Sequence, residues 1–296
     1  MVSEVNPGGG NVADGRRADA RPDAWNPDRY ARFRNERTRP FHDLLAMVEA
    51  RPDMRVIDLG CGSGELTRHL HDTLGCRETI GLDSSPTMLA RATGHAGNGL
   101  RFVTADIGEI RDGHVTGGID GPFDLVFSNA ALQWLGGHED LITRITSLLA
   151  PGGQVAVQVP ANEDHASHVV AARVAREEPF ATALGGHVRI FGTMAPEAYA
   201  ELLHRLGAED PVAMTRVYGH VMASAADVVE WVRGTLLTDY QSRLPVDLFE
   251  AFLARYRMAL REVLGDRTPY YYAFKRVLFH ARGVWARGNP AGVVAT

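Results

Sequence analysis

The sequence has little of several features that would assign it to a special class of protein. Two cysteines among 296 residues, Cys61 and Cys76, cannot build a disulfide framework, so we expect a reducing compartment, the cytoplasm. Lysine occurs once, as Lys275, and the other basic residues are arginine. A net charge of −5 provides no basic surface for nucleic acid. No apolar run approaches the ~18 residues of a membrane span, so we expect neither nucleic acid nor membrane as a partner.

The first 52 residues divide into a part that we expect to be disordered and a part that we expect to be helical. Residues 1–24 are rich in glycine, aspartate, arginine and alanine and lack hydrophobic periodicity, so we expect them to be disordered. Structure is expected to begin with two helices that precede the core within a segment 25–160. The first starts near Asn26-Pro27, and the second runs from residue 39 or 40 to residue 49.

Short apolar runs then alternate with segments of helical spacing up to residue 160. The predicted strands cover 55–60, 78–83, 100–106, 123–130 and 154–160, and the predicted helices cover 64–75, 85–93 and 139–150. Pro151-Gly152-Gly153 is expected to close the last of these helices. This alternation predicts an α/β fold, with a doubly wound and mostly parallel sheet that helices cover on both faces.

The pattern changes after residue 160. We expect a helical insert at 161–194, a continuation of the core at 195–223, a helical lid at 224–275, and a last core strand with a tail at 276–296. In open α/β sheets the ligand crevice lies at the carboxyl ends of the strands. The two helical pieces are therefore expected to cover the functional site.

A glycine-rich loop directly follows the first predicted strand, in the stretch VIDLGCGSGELT. Gly60, Gly62 and Gly64 would let the backbone approach a ligand closely between a strand and a helix. The spacing differs from the G-x-G-x-x-G of nicotinamide-binding loops, and the Gly-Lys ending of a phosphate-binding Walker loop is absent.

Acidic residues stand near the ends of three successive strands: Asp58, Asp83 and Asp106. Three carboxylates at one edge would repel a pyrophosphate group. They suit a cationic ligand that is rich in hydroxyl or amino donors.

At this point four motifs resemble a known family. VIDLGCGSGELT, GLDSSPTML, TADI and FSNAALQWL, in this order, resemble the successive motifs of class I S-adenosylmethionine-dependent methyltransferases. The resemblance implies the seven-stranded, Rossmann-like sheet of that class and S-adenosyl-L-methionine as cofactor. It implies that the glycine loop approaches the methionine part, that Asp83 binds the ribose, and that Asp106 and Ile107 recognise the adenine. The full implied cofactor set is Tyr30, Asp58, Gly60, Cys61, Gly62, Gly64, Asp83, Ser84, Met88, Asp106, Ile107, Asn129 and Ala130.

A closer resemblance is to the trans-aconitate 2-methyltransferase family, through WNPDRYARFRNERTRPFHDLL, NAALQWL and VAVQVPAN. That family methylates a carboxylate of a small tricarboxylic acid. The resemblance implies that Gln133 and Trp134 contact the reacting carboxylate through N–H donors. A polycarboxylate also needs cationic partners, for which the candidates are Arg34, Arg39, Arg189 and Arg233.

Other functions remain open on the sequence alone. The acceptor could be a hydroxyl or amine of a secondary metabolite, in which case a histidine would act as base. The candidate bases are His138, His165, His168, His187 and His220. A protein that binds the cofactor without transferring its methyl group is a third possibility. No metal is expected, because His165 and His168 lack an accompanying set of ligands.

Overall fold

The computed structural model describes residues 34–283 and 285, with side chains from residue 38 onward. Tyr30 and the helix expected near Asn26-Pro27 lie outside the described residues, as does the side chain of Arg34.

The described residues form nine strands. These are β1 (Arg55–Leu59), β2 (Glu78–Asp83), β3 (Leu100–Thr104), β4 (His114–Val115), β5 (Ile119–Asp120), β6 (Phe123–Asn129), β7 (Leu149–Pro160), β8 (Ala208–Met222) and β9 (Tyr270–Gly283). Seven of them make one sheet in the order β3-β2-β1-β6-β7-β9-β8, and β4 and β5 make a small separate ribbon. β9 runs antiparallel to both its neighbours, whereas the other adjacent pairs are parallel. The predicted doubly wound, mostly parallel sheet of seven strands is therefore confirmed.

Ten α-helices accompany the strands in the described part of the chain. They are α1 (Arg34–Leu45), α2 (Glu65–Leu74), α3 (Pro86–Ala92), α4 (His138–Thr146), α5 (Ala166–Val174), α6 (Phe180–Ala183), α7 (Pro196–Arg205), α8 (Asp227–Arg233), α9 (Leu236–Arg243) and α10 (Val246–Leu264). Local sequence explains the ends of the early ones. Gly64 and Gly75 bracket α2 in the left-handed conformation, and Ser85 caps α3, whose first turn contains Pro86.

Three element boundaries differ from the expectation. Helix α4 ends at Thr146, and Pro151-Gly152-Gly153 lies inside β7 rather than after a helix. β9 begins at Tyr270, six residues before the predicted last core strand. The aromatic residues 270–274 were assigned to the helical lid. Their alternate side chains are buried in one core with helices such as α8 and α10, and packing therefore outweighs the local pattern.

The two helical pieces form one unit. Helices α5 and α6 share a hydrophobic core with α8, α9 and α10, and the same core includes Tyr270, Tyr272 and Phe274 of β9. We call this unit the helical cap. It consists of these five helices, the connection between α5 and α6, the segment from α6 to residue 194, and the connections from α8 to α10. Pro160 of β7 pairs with Arg276, and Met222 of β8 pairs with Tyr270. The cap therefore sits at the carboxyl edge of the sheet.

Candidate active site

The predicted site residues meet at one edge of the sheet. β2, β1 and β6 are adjacent and parallel, so the glycine loop after β1, Asp83 at the end of β2 and Asn129 at the end of β6 lie side by side. This is the edge at which α/β sheets bind ligands.

The three positions of the loop require glycine for different structural reasons. Gly60 and Gly64 have φ of 80° and 79°, and a Cβ at Gly60 would overlap the Cβ of Ala131, while one at Gly64 would lie 2.7 Å from the Phe102 ring. Gly62 has φ of 57°, but an added Cβ there would meet no described atom within 4 Å. Gly60 and Gly64 are thus required by packing, whereas Gly62 faces open space that a ligand can enter.

Asp83 holds the glycine loop and still has acceptor capacity. Its Oδ2 accepts the N–H of Gly62 at 2.9 Å, and its Oδ1 accepts the N–H of Ser85 at 2.8 Å. A carboxylate has about four lone-pair sites, and this side chain is half-buried at the loop. It can therefore receive a diol while bracing the loop.

Asp58 lies beneath the loop rather than in the open space. It is 4% exposed, and its Oδ2 accepts the hydroxyl of Thr67 at 2.6 Å. Burial, with a smaller contribution from the negative charge of Asp83, raises the pKa of Asp58 to about 7. Its structural role is to tie β1 to α2.

The other predicted cofactor residues lie at the same edge of the sheet. Those outside the turn after β6 are described first. Asp106 accepts the N–H of Gly108 at 2.8 Å and caps a short turn, Ile107–Glu109, in which Ile107 is buried. Cys61 packs on Leu89, and burial raises the pKa of its thiol, so it stays an un-ionised thiol. Ser84 is exposed and Met88 is half-buried.

A polar turn follows β6. Ala130 has φ of 55°; its N–H donates to the carbonyl of Gln158, and its own carbonyl accepts Nε2 of Gln133 at 2.6 Å. Oδ1 of Asn129 and Oε1 of Gln133 are buried without a hydrogen-bond partner among the described residues. Buried acceptors normally have a donor, so this turn fits a ligand with N–H groups. One N–H of Gln133, predicted to point at a carboxylate, is thus used by Ala130.

Trp134 and Arg189 form a stacked pair. Trp134 is 50% exposed, and the Arg189 guanidinium lies 4.6 Å from its ring centroid and 4.9 Å from that of Phe191. Arg189 Nη1 donates to the carbonyls of Thr235 and Leu236 at 3.0 and 3.3 Å. Within residues 38–283, Arg189 makes no ion pair. Among the described residues, the pair therefore presents a half-buried positive charge that is in no ion pair; burial lowers the pKa of Arg189, and the negative charge of Asp239 opposes this shift.

The same arginine lines a cavity of about 740 Å³ in the helical cap, which we call the cap cavity. Its wall residues come from the connection between β7 and α5, from α5 and the residues just after it, from the segment before α7 and from α9. They are Glu163, His168, Val169, Ala172, Arg176, Gly186, His187, Val188, Arg189, Ile190, Phe191, Leu236 and Tyr240. Arg189 thus links the turn that carries Trp134 to the cap cavity.

The cap cavity also contains polar residues that sequence reasoning did not assign to substrate. Glu163 has a buried Oε1 without a partner in the described part of the chain, and burial raises its pKa. His168 bonds Ser167, and burial lowers its pKa to about 3. Nothing in the spacing of these residues indicates a common cavity, because they converge only through the packing of the cap.

Two predicted arginines lie elsewhere. Arg233 on α8 pairs with Glu230 at 4.0 Å and with Glu250 at 3.7 Å. Arg39 is exposed, with its guanidinium 6.0 Å from the ring centroid of Tyr218. Neither lines the cap cavity.

Two further candidate bases, His138 and His187, are engaged. His138 is buried and bonds both the hydroxyl of Tyr199 and the carbonyl of Leu132, and His187 bonds Asp239 at 2.7 Å. Among the described residues, no group of three or more His, Cys, Asp or Glu side chains could hold a metal ion. Nor does any helix in this part of the chain have the length and apolar character needed to cross a membrane.

Comparison with known proteins identifies the family. A family model described as a methyltransferase domain matches residues 50–200. A trans-aconitate 2-methyltransferase of Deinococcus radiodurans is 46% identical over 265 residues, which cover 87% of this chain and 97% of that protein. One of Variovorax paradoxus is 40% identical over 245 residues, covering 82% and 92%. Among solved structures, the YcgJ protein of Bacillus subtilis has a TM-score of 0.53 at 14% identity, covering 83% of this chain and 100% of that one, a likeness of fold alone.

The sheet order, the glycine loop with its acidic neighbours, and relatives that match almost end to end all lead to one assignment. The chain belongs to the trans-aconitate 2-methyltransferase family of S-adenosylmethionine-dependent methyltransferases.

Proposed function

We propose that the protein methylates a carboxylate of a small organic acid, with trans-aconitate as the first substrate to test. The relatives' names support this acceptor. The observation that carries the proposal is Arg189, a half-buried guanidinium with no carboxylate partner among the described residues, stacked on Trp134 beside the carboxyl edge. Guanidinium groups bind carboxylates with two parallel hydrogen bonds.

The residues at the edge fit the cofactor. Gly62 opens onto free space, Asp83 keeps acceptor capacity for the ribose hydroxyls, and the unpartnered oxygens of Asn129 and Gln133 suit an ammonium group. Asp106 and Ile107 are the residues we propose for the adenine. S-adenosylmethionine supplies an electrophilic methyl group, whose C–S electron pair stays on sulfur when a nucleophile takes the carbon.

The chain's own contribution is to position the acceptor. A carboxylic acid with a pKa near 4 is ionised at neutral pH, so the site has no proton to remove. Arg189 is held by Trp134, Phe191 and two backbone carbonyls, so its orientation is fixed before the acid binds. A fixed cation that aims a carboxylate oxygen at the methyl group promotes the reaction by orienting the acceptor.

The alternative acceptors are less well supported. A hydroxyl or amine would call for a base, and burial lowers the pKa of His168, one candidate at the cavity, to about 3, which makes it a weak base at neutral pH. The methyltransferase relatives do not favour a non-methylating function.

Two free cysteines support a reducing compartment such as the cytoplasm, and the charge of −5 supports small molecules over nucleic acid as partners.

Replacing Arg189 by glutamine tests the acceptor. With labelled S-adenosylmethionine and trans-aconitate, we expect methyl ester formation by the native chain and a kcat/KM about 10- to 100-fold lower for Arg189→Gln, the range for a lost hydrogen bond to a charged group. The matched control is Arg233→Gln, which breaks the ion pairs of a half-buried arginine outside the cap cavity and is expected to keep kcat/KM within twofold. Equal losses in both variants, or transfer to a hydroxyl or amine but not to a carboxylate, would refute the proposal.

Asp83 tests the cofactor site. Asp83→Asn keeps the shape but removes one acceptor, so we expect S-adenosylhomocysteine to bind at least about tenfold more weakly, as for a lost charged hydrogen bond. Calorimetry measures the affinity, and thermal unfolding of the same samples shows whether the loop still folds. Asp72→Asn, at an exposed ion pair on α2, is the control. Unchanged affinity in Asp83→Asn would remove this residue from the site.

A further inference from the structure

Trp134 and Arg189 stand on two segments that no long helix or strand holds. Trp134 belongs to the short turn Leu132–Trp134 after β6, and Arg189 lies in residues 187–195, which form neither helix nor strand. The guanidinium of Arg189 can stay stacked on the Trp134 ring only if these two segments keep a fixed spacing. The contacts between the segments therefore decide how the pair is placed.

A buried histidine and a buried tyrosine connect the two segments. His138, the first residue of α4, is 2% exposed, and its Nε2 lies 3.0 Å from the carbonyl oxygen of Leu132. Its Nδ1 bonds the hydroxyl of Tyr199 on α7. The same hydroxyl oxygen accepts the N–H of Met194 at 3.2 Å. The turn after β6 is thus hydrogen-bonded through two side chains to the end of segment 187–195.

The partners fix the direction of each hydrogen bond. A carbonyl oxygen can only accept, so Nε2 of His138 carries a proton and donates it to Leu132. Burial lowers the pKa of His138, which keeps the ring neutral, and Nδ1 is then an acceptor for the hydroxyl of Tyr199. The path from Met194 to Leu132 is therefore a chain of three hydrogen bonds that all point the same way.

The backbone of the same segment also packs directly on the histidine. An added Cβ at Gly192 would lie 2.8 Å from Cδ2 of His138 and 2.8 Å from the carbonyl oxygen of Leu135. These distances leave no room for a side chain, so His138 fills the gap between the segment and the turn. The Tyr199 ring in turn stacks on Phe279 of β9, with 4.4 Å between the centroids. The sheet therefore holds the two connecting side chains in place.

We propose that His138 and Tyr199 are positioning residues of the methyl transfer, which set the placement of Trp134 and Arg189 and thereby aim the carboxylate of the acceptor. The inference rests on the proposed carboxylate chemistry and adds two residues that act through the stacked pair. Both side chains are buried, so neither contacts the acceptor as a base. A displaced pair still binds the acid but aims its oxygen less well, so kcat responds more than KM.

Two variants remove the connection and a third retains it. Tyr199→Phe keeps the ring on Phe279 but deletes the hydroxyl, and His138→Leu keeps an apolar side chain but deletes both nitrogens. With trans-aconitate as acceptor we expect kcat to fall about 10- to 100-fold in each, as for a small misplacement of reacting groups, while KM stays within about twofold. His138→Gln retains an N–H donor and an acceptor, so we expect its kcat within about threefold of the native value.

The fluorescence of Trp134 reports its placement without any substrate. Its contribution is the difference between each variant and the same variant with Trp134→Phe added. Acrylamide quenching of this contribution should rise by up to about twofold in Tyr199→Phe and His138→Leu, because Arg189 stacks on a side chain that is 50% exposed. In His138→Gln it should keep the native value.

A steric variant perturbs the same place without removing a hydrogen-bonding group, in case the others fail to fold. The Cβ of Gly192→Ala forces the segment away from His138, so we expect the same fall in kcat and the same rise in quenching. Its matched control is Gly94→Ala, whose Cβ would meet no described atom within 4 Å. Tyr256→Phe, which removes another buried tyrosine hydroxyl in the helical cap, controls for lost stability. Thermal unfolding shows whether each sample is folded, and both controls should keep the native kcat.

The possible results separate this inference from the proposed function. Native kcat and native quenching in folded Tyr199→Phe and Gly192→Ala, in a protein that methylates trans-aconitate, would overturn the inference and leave the proposed function intact. A kcat in His138→Gln as low as in His138→Leu, with native quenching in both, would indicate a base and overturn the positioning role. If the native chain forms no methyl ester from any carboxylic acid, the proposed function fails, and the inference fails with it.

Discussion

Replacing Gly60 by alanine is expected to destabilise the protein by about 2–5 kcal/mol. Part of the loss comes from the left-handed φ of 80°, which costs a non-glycine residue roughly 1–2 kcal/mol. The rest comes from overlap of the new Cβ with the Cβ of Ala131, since overpacking a tight site costs about 1–3 kcal/mol. Chemical denaturation followed by circular dichroism, without ligand, measures the free energy of unfolding.

Gly62 is the matched control for this change. Its φ of 57° is also left-handed, but an added Cβ meets no described atom within 4 Å. Gly62→Ala is therefore expected to cost only about 1–2 kcal/mol. Because the open space beside Gly62 is where we propose that the cofactor binds, the same variant should weaken S-adenosylhomocysteine binding. Similar losses of stability in both variants would contradict the packing account of Gly60.

Replacing Asp58 by asparagine is expected to stabilise the protein increasingly as the pH rises. Burial raises the pKa of Asp58 from 3.8 to about 7 in the folded state. The folded state therefore holds a proton that the unfolded chain has released between about pH 4 and 7, so native stability falls across that window. A shift of about three pKa units corresponds to roughly 4 kcal/mol of lost stability, and this loss is complete above pH 7. Asparagine carries no charge at any pH and avoids this cost.

Unfolding of the ligand-free protein at a series of pH values checks the sign. The free energy of unfolding of Asp58→Asn relative to the native chain should be near zero or negative at pH 4 and should rise by about 2–4 kcal/mol by pH 8. Asn can still accept the Thr67 hydroxyl, so the tie between β1 and α2 is kept. Asp72→Asn, on the exposed face of α2, should show no such pH dependence. A difference that is the same at pH 4 and pH 8 would argue against a buried, protonated Asp58.

The first half of the fold follows from the sequence because its signals are local. The apolar runs of β1, β2, β3 and β6 are flanked by glycine, proline or a helix cap, and α2 and α3 begin where such residues stand, whereas the two-residue strands β4 and β5 were not predicted. The second half was less predictable. The aromatic segment 270–274 has no local mark that separates a strand from a helix, and it becomes part of β9 because Lys275 to Gly283 already pairs with β7 or β8.

The candidate site divides in the same way. The glycines and acidic residues at the carboxyl edge belong to continuous motifs, so their positions could be predicted. Arg189 could be proposed only as one of several arginines, since its contact with Trp134 joins residues 55 positions apart. Glu163 and His168 reach the cap cavity through packing between α5, α9 and the segment before α7, for which no sequence pattern exists.

The composition of the cap core has a consequence for synthesis on the ribosome. Helix α5 buries Val170, Ala171 and Val174 against α10, and the hydroxyl of Tyr256 donates to the carbonyl of Ser167. The chain that emerges first therefore exposes an apolar helix face until about 80 more residues have been translated, with β8 made in between. During this interval α5 offers a binding surface for chaperones. Chains that stop before α10 are expected to aggregate even though β1 to β7 are complete.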